Sequence, residues 1–252
     1  MRKAQVHAAC QALAALTILW VGTQTSLAAP SFDCRKAKTA VEKEICAKKR
    51  LGDIDRAMAK AYPNALARLG EDPKAVAALK TSQRLFLTTR NVQFVPHLGG
   101  DYDLEQHMAA QLDLLRSIGP DPRKGLEGEW KTTEGTLFIG RPASSGLRPV
   151  NISSRTHDSK QWTCEFLGEA RGDGDTLVVE GRDKYRKDYA GWRLKISRDG
   201  RMATVETVRP EGLERGGAPF CGMNGSLAGD YFPADELPDN PCAGIPAGQC
   251  RE

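Results

Sequence analysis

Apolar side chains recur at spacings of three to four through the first half of the chain and at spacings of two through the second. Between residues 31 and 119 the pattern is helical. Thr39-Ala40-Val41-Glu42 has the form of a capping box, a hydroxyl for one orphan amide and a glutamate three residues on, and Cys46 falls near the end of the short helix it opens. Asp53 can cap a second helix that carries Ile54, Met58, Ala61, Ala65 and Leu69 on one face. Pro63 lies inside that face and predicts a kink or break. Pro73 suits the first turn of a third helix reaching about Arg90, with Val76, Leu79, Phe86 and Gln83 inward. Residues 91–100 read as a loop ended by Gly99-Gly100. Asp103 then opens a fourth helix with Leu104, Met108, Leu112 or Gln111, Leu115 and Ile118, stopped at Gly119-Pro120.

Residues 121–125 are a linker by composition, and beyond them the period is two. Trp162, Cys164 and Phe166 share one strand face, as do Trp192, Leu194 and Ile196. Further strands are predicted over 128–134, 136–141, 149–156, 176–181, 201–209 and 225–232, with turns such as Gly172-Asp173-Gly174-Asp175 and Asp199-Gly200 between several of them. The fold class is therefore α+β. A small disulfide-stapled helical domain (29–122) precedes an antiparallel barrel-like or sandwich domain (126–232) and a Pro/Gly-rich tail (233–252).

The first 28 residues change where this chain should work. Arg2 and Lys3, an apolar run from Ala8 to Val21, and small residues at Ser26 and Ala28 have the layout of a secretory signal, with cleavage near Ala28. The run is shorter than the roughly 20 residues a spanning helix needs, and no later stretch is long enough, so no membrane insertion is expected after cleavage. The compartment is then the periplasm of a Gram-negative bacterium, or the exterior. Six cysteines remain after cleavage, and an even count in an exported chain reads as a disulfide framework. Their clustering favours Cys34–Cys46, Cys164–Cys221 and Cys242–Cys250. No pair has CxxC spacing, so a zinc site is not expected.

Candidate chemistry is sparse. There is no nucleophile elbow, P-loop, dinucleotide fingerprint or HExxH motif. His97, His107 and His157 are far apart in sequence, and His107, beside Met108 in the fourth helix, reads as a surface or half-buried structural residue. The carboxylate pairs Asp173/Asp175 and Glu211/Glu214 sit in turn-like, charged stretches. The expectation is a non-enzyme without cofactor or metal, and no residue pattern assigns a binding surface. After cleavage, 34 basic and 32 acidic side chains remain over 224 residues, which gives no case for nucleic-acid binding. Gly128-Glu129-Trp130 resembles the GxW opening of lipocalin-like barrels, although any β domain can place a core tryptophan there.

The mature N-terminus carries the most specific pattern. Ser31-Phe32-Asp33-Cys34-Arg35-Lys36-Ala37, then Thr39, Val41-Glu42-Lys43 and Ile45-Cys46, resembles the LprI-like lysozyme-inhibitor N-terminal domain family, whose pattern runs SFDCxKAxTxxEKxIC. The family's following block, LxxLDxxLxxAY, is similar to Leu51, Ile54-Asp55, Met58 and Ala61-Tyr62. Its QRxWLxxRD helix looks like Gln83-Arg84-Leu85-Phe86-Leu87 with Arg90, phenylalanine standing for tryptophan. The chain departs from the family in lacking a second cysteine pair after that helix and in carrying Pro63. The resemblance implies a small helical, exported domain and a lysozyme, or another envelope protein, as partner. The β half is similar in outline to the barrels of periplasmic C-type lysozyme inhibitors. Gly225 to Tyr231 has the residue types of their SGxxY loop in the wrong order, so Ser226 and Tyr231 are not assigned its role.

Charge divides the halves. Residues 29–125 hold 17 basic and 12 acidic side chains, and residues 126–252 hold 17 and 20. C-type lysozymes are generally strongly basic, so attraction would favour the β half. The alternative expectation is a barrel that binds an envelope ligand or partner unrelated to lysozyme, and the weakest is a carboxylate-based cell-wall hydrolase.

Overall fold

The computed structural model describes residues 29–95, 102–121, 125–157, 161–172, 174–181, 189, 191–213 and 217–234. The expected signal segment, His97, the Gly99-Gly100 loop end, Asp173, Glu214 and the tail with Cys242 and Cys250 lie outside them.

A 3₁₀ turn, Cys34–Lys36, leads into α1, Ala40–Ala47. The capping box forms: Glu42 N–H donates to Thr39 Oγ1 (3.2 Å), and Thr39 N–H donates to Glu42 Oε2 (2.8 Å). The Cys34–Cys46 disulfide ties the turn to this helix. The second helix, α2 (Lys49–Leu69), starts earlier than its apolar pattern predicts, because the α1–α2 junction is the single residue Lys48. Asp53 is thus no cap; it pairs with Lys49 (2.7 Å) and Arg56 (2.8 Å) within the helix. Pro63 does not end α2 either. It removes one backbone donor, but burial of Ile54, Met58, Ala61, Ala65 and Leu69, at about 25 cal/mol per Å² of apolar surface, outweighs a penalty of about 3 kcal/mol.

The third helix, α3, spans Pro73–Gln93, capped by Asp72, which accepts from Lys74 and Ala75 N–H at 3.0 Å. Its buried stripe is Ala75, Leu79, Phe86 and Arg90; Val76 is only partly buried. The fourth, α4 (Leu104–Ser117), is capped by Asp103, which accepts from Gln106 N–H at 2.9 Å. Among the described residues no helix is long and apolar enough to cross a membrane.

Eight antiparallel strands follow: β1 Gly128–Lys131, β2 Gly135–Ile139, β3 Arg148–Arg155, β4 Thr163–Arg171, β5 Thr176–Gly181, β6 Arg193–Asp199, β7 Met202–Val208 and β8 Gly229–Pro233. Each pairs with the next and β8 returns to β1, so the sheet closes into an up-and-down barrel rather than a sandwich. Strand alternation sends Trp130, Leu137, Ile139, Ile152, Phe166 and Leu194 inside, where each is fully buried. Gly168 faces the same interior, and a Cβ there would collide with the Glu180 carbonyl. Trp130 closes one end. Its indole N–H donates to the Leu126 carbonyl (2.7 Å), and the Arg198 guanidinium lies 5.4 Å over the ring. Arg198 also donates to Asp121 and to the Gly125 carbonyl, fixing the linker at that end. The Cys164–Cys221 disulfide staples β4 to a segment whose Phe220 packs against Phe166 and Trp192.

The helices lie against the barrel's outer wall. Met202 and Phe232 point away from the barrel interior and join the helical core instead. Arg201 locks the seam: its N–H donates to Asp72 Oδ2 (2.7 Å), and its guanidinium donates to the carbonyls of Arg68 (2.9 Å) and Pro120 (2.8 Å).

Candidate functional site

A cleft of about 690 Å³ opens along this seam. One wall is the α3 face bearing Ala77, Thr81, Leu85 and Thr89, which recur every four residues and so line up on one side of the helix. The other wall is the Thr132–Glu134 turn between β1 and β2 together with Ala228–Asp230 at the start of β8. Phe86, Met202 and Phe232 form an apolar floor. Among the described residues, three carboxylates, from Glu134, Asp199 and Asp230, and the ammonium of Lys74 border the cleft, and Lys74 pairs with Asp199 at 2.7 Å. Asp230 accepts from the Thr204 hydroxyl at 2.8 Å.

His107 reaches this cleft from below, and here the structure corrects the sequence. It is 2 % exposed, not half-buried, and its ring stacks on His157 with centroids 4.8 Å apart and planes 14° apart. Tyr102 Oη lies 2.8 Å from His107 Nδ1, and Phe86 meets the ring edge-on at 4.8 Å. His157 Nε2 lies 3.3 Å from the Thr133 carbonyl, which can only accept. Burial, then the neighbouring His157 and Arg90, pushes the His107 imidazole down to about 3. Burial is also the main cause lowering His157, with Arg155 adding to it, while the Thr133 carbonyl and Asp103 act in the opposite sense. Both rings are therefore neutral near pH 7. A polar chain completes the seam: Gln111 Nε2 donates to Gln83 Oε1 (2.7 Å), and the Thr133 hydroxyl donates to Gln111 Oε1 (2.5 Å). These residues come from α3, α4 and the barrel, and nothing in their sequence spacing brings them together.

The motif residues at the N-terminus do something different. Ser31 donates to Asp55 Oδ2 through its N–H (2.8 Å) and its hydroxyl (2.6 Å), pinning the incoming chain to α2. Arg56 Nε donates to the Ala29 carbonyl (2.6 Å) and holds the same segment. Asp33 caps the 3₁₀ turn by accepting from Arg35 N–H. Arg90 is buried with its guanidinium 5.8 Å over the Phe86 ring, and it donates to Asn91 Oδ1. Burial lowers the Arg90 pKa, while Asp55 and Glu42 act to raise it. The Ser31 and Ala29 contacts fasten the incoming segment to α2, whereas the Asp33 cap and the Arg90 contacts to Phe86 and Asn91 each lie within one element.

Residues 34–116 match the family model described as lysozyme inhibitor LprI. No curated protein and no solved structure matches the chain. The LprI match takes in the 3₁₀ turn and α1 to α4, stopping one residue before the last of α4, and the barrel lies wholly beyond it. Within the LprI region, Cys34, Cys46, Thr39, Glu42, Asp55 and Arg90 all serve as fastenings, so the shared pattern marks this helical fold. The cleft combines one LprI-region wall with one barrel wall. In the barrel, Tyr231 points inward, 3 % exposed, and its hydroxyl donates to the Leu227 carbonyl at 3.0 Å. That orientation keeps it from reaching a partner.

Proposed function

We propose that the mature chain is an exported, non-catalytic binding protein that inhibits a C-type lysozyme in the periplasm. The observation that carries this reading is the LprI match at residues 34–116. Two disulfides, one in the helical half and one in the barrel, support an oxidising, extracytoplasmic compartment. Cleavage near Ala28 suits the structure, because Ala29 and Ser31 are already held by Arg56 and Asp55. We read 29–122 and 126–232 as the two domains, with a third bridge, Cys242–Cys250, in the tail.

Cys34, Cys46, Thr39, Glu42 and Asp55 of the LprI motif are occupied in holding the helical fold, and the helical half carries a surplus of positive charge. Contact with a basic lysozyme therefore falls to the seam, where Glu134, Asp199 and Asp230 gather, since residues 126–232 hold 16 basic and 16 acidic side chains and the acidic surplus of the β half lies in its tail. The alternative of a ligand enclosed by the barrel loses support, since Trp130, Ile152, Phe166 and their neighbours fill the interior. The test is lysozyme-driven clearing of a cell-wall suspension with mature protein added at micromolar concentrations. The expected result is protection that weakens as salt shortens the Debye length from about 10 Å at 0.1 M to about 3 Å at 1 M. Clearing at the uninhibited rate at every protein concentration would contradict the proposal.

A further inference from the structure

The barrel does not close evenly around its girth. Among the described residues, only Trp130↔Pro233 and Lys131↔Phe232 pair along the β1–β8 seam. At Thr132 the chain turns away, its N–H donating to the Gly135 carbonyl at 2.8 Å to form the β1–β2 turn. On its other side β8 continues in register with β7 through Tyr231, Asp230 and Gly229. Among the described residues, no strand lies on the β1 side of the Gly229–Asp230 stretch, and it is exposed. This parted section of the seam is the barrel wall of the cleft.

Three properties of that cleft point to one kind of occupant. A strand edge offers main-chain hydrogen bonds to an added extended segment. The floor is apolar, made by Phe86, Met202 and Phe232, and on the opposite wall Ala77 and Leu85, the latter 66 % exposed at the mouth, alternate with Thr81 and Thr89. Among the described residues the border carries three carboxylates and one ammonium, Lys74, which pairs with Asp199, and low-dielectric walls focus the remaining field into the cleft. The volume falls in the range of roughly 300–1,000 Å³ typical of ligand sites.

We propose that this cleft receives an extended, basic polypeptide segment of a protein partner. The segment lies along the open edge of β8, with apolar side chains toward α3 and lysine or arginine side chains among Glu134, Asp199 and Asp230. The chain's own tail is a poorer occupant, because Asp235, Glu236 and Asp239 open it with negative charge. The proposal goes beyond the inhibitor reading and does not rest on it.

The experiment is fluorescence anisotropy on the mature full chain at low salt. The probe is a labelled twelve-residue peptide of alternating lysine and valine, compared with the same peptide carrying glutamate for lysine. The lysine peptide should bind and the glutamate peptide should not. Joint Glu134→Lys and Asp230→Lys substitution should weaken binding at least tenfold, and Leu85→Ser several-fold. All three positions are exposed, so circular dichroism and the unfolding midpoint should stay unchanged. Equal binding of the two peptides, no binding of either, or undiminished binding by both variants would overturn the proposal. So would binding that emerges only after truncation beyond Ala234, since the tail would then be the cleft's occupant.

Discussion

In the barrel every strand has two antiparallel neighbours, and its core, from Leu126 and Trp130 to Phe220 and Tyr231, consists of the barrel's own residues. The helical half is built otherwise. Its core of Val41, Ile45, Leu69, Leu79, Met108 and their neighbours also takes in Met202 and Phe232 from the barrel's outer face. One region is closed on itself, and the other is completed by the first. A small helical layer cannot bury enough surface alone, and it compensates with a disulfide and a borrowed wall. The lesson is that a family pattern can mark a fold whose stability partly resides outside the pattern.

The largest expected effect comes from opening the self-contained side. Trp130→Ala removes the plug beneath Arg198 and should destabilise the barrel by about 3–5 kcal/mol. The measurement is urea unfolding followed through the strand signal. A loss below about 1 kcal/mol would show that the barrel does not depend on its closed end.

Acid should act next, and on the seam. The His107 pKa is depressed in the folded chain, so the unfolded chain takes up its proton first, near pH 6.5. The stabilisation is complete above that value and is lost as pH falls toward about 3. At pH 4.5 the deficit from this one ring is about 2–3 kcal/mol, each pH unit contributing about 1.4. Unfolding midpoints from pH 7.5 to 4.5 should therefore fall more steeply in the native chain than in His107→Leu. Parallel slopes would place the acid sensitivity elsewhere.

A smaller effect belongs to the N-terminal fastening. Asp55→Asn keeps the side chain's shape but removes the charge that accepts both Ser31 bonds, and should cost about 1–2 kcal/mol. Limited proteolysis should then cut before Cys34 sooner than in the native chain. Unchanged cutting would mean that the disulfide alone holds the segment.

Much of this architecture is legible in the sequence because it is local. A capping box, Pro73 and Asp103 at the starts of their helices, and the alternation through Cys164–Phe166 and Leu194–Ile196 each act within a few residues. The expected Asp53 cap and the expected break at Pro63 fail where packing overrides them. Asp53 becomes a mid-helix ion pair, and Pro63 is carried through α2 by the buried face around it. The candidate site is not legible, because it is made of side chains far apart in the chain. His107 and His157 are separated by 50 residues and by a change of fold, and only their stacking joins them. The same holds for Met202 and Phe232, whose outward positions in strands would ordinarily read as solvent-facing.

Hydrogen exchange on the chain bearing Phe232→Ala tests the dependence of one half on the other most directly. Phe232 is 2 % exposed, yet it belongs to the helical core rather than the barrel's. The account predicts that amides of α2, α3 and α4 lose protection by roughly a hundredfold, in line with about 3 kcal/mol, while β3 to β6 exchange as in the native chain. Protection lost equally in both halves, or lost in the barrel alone, would contradict it.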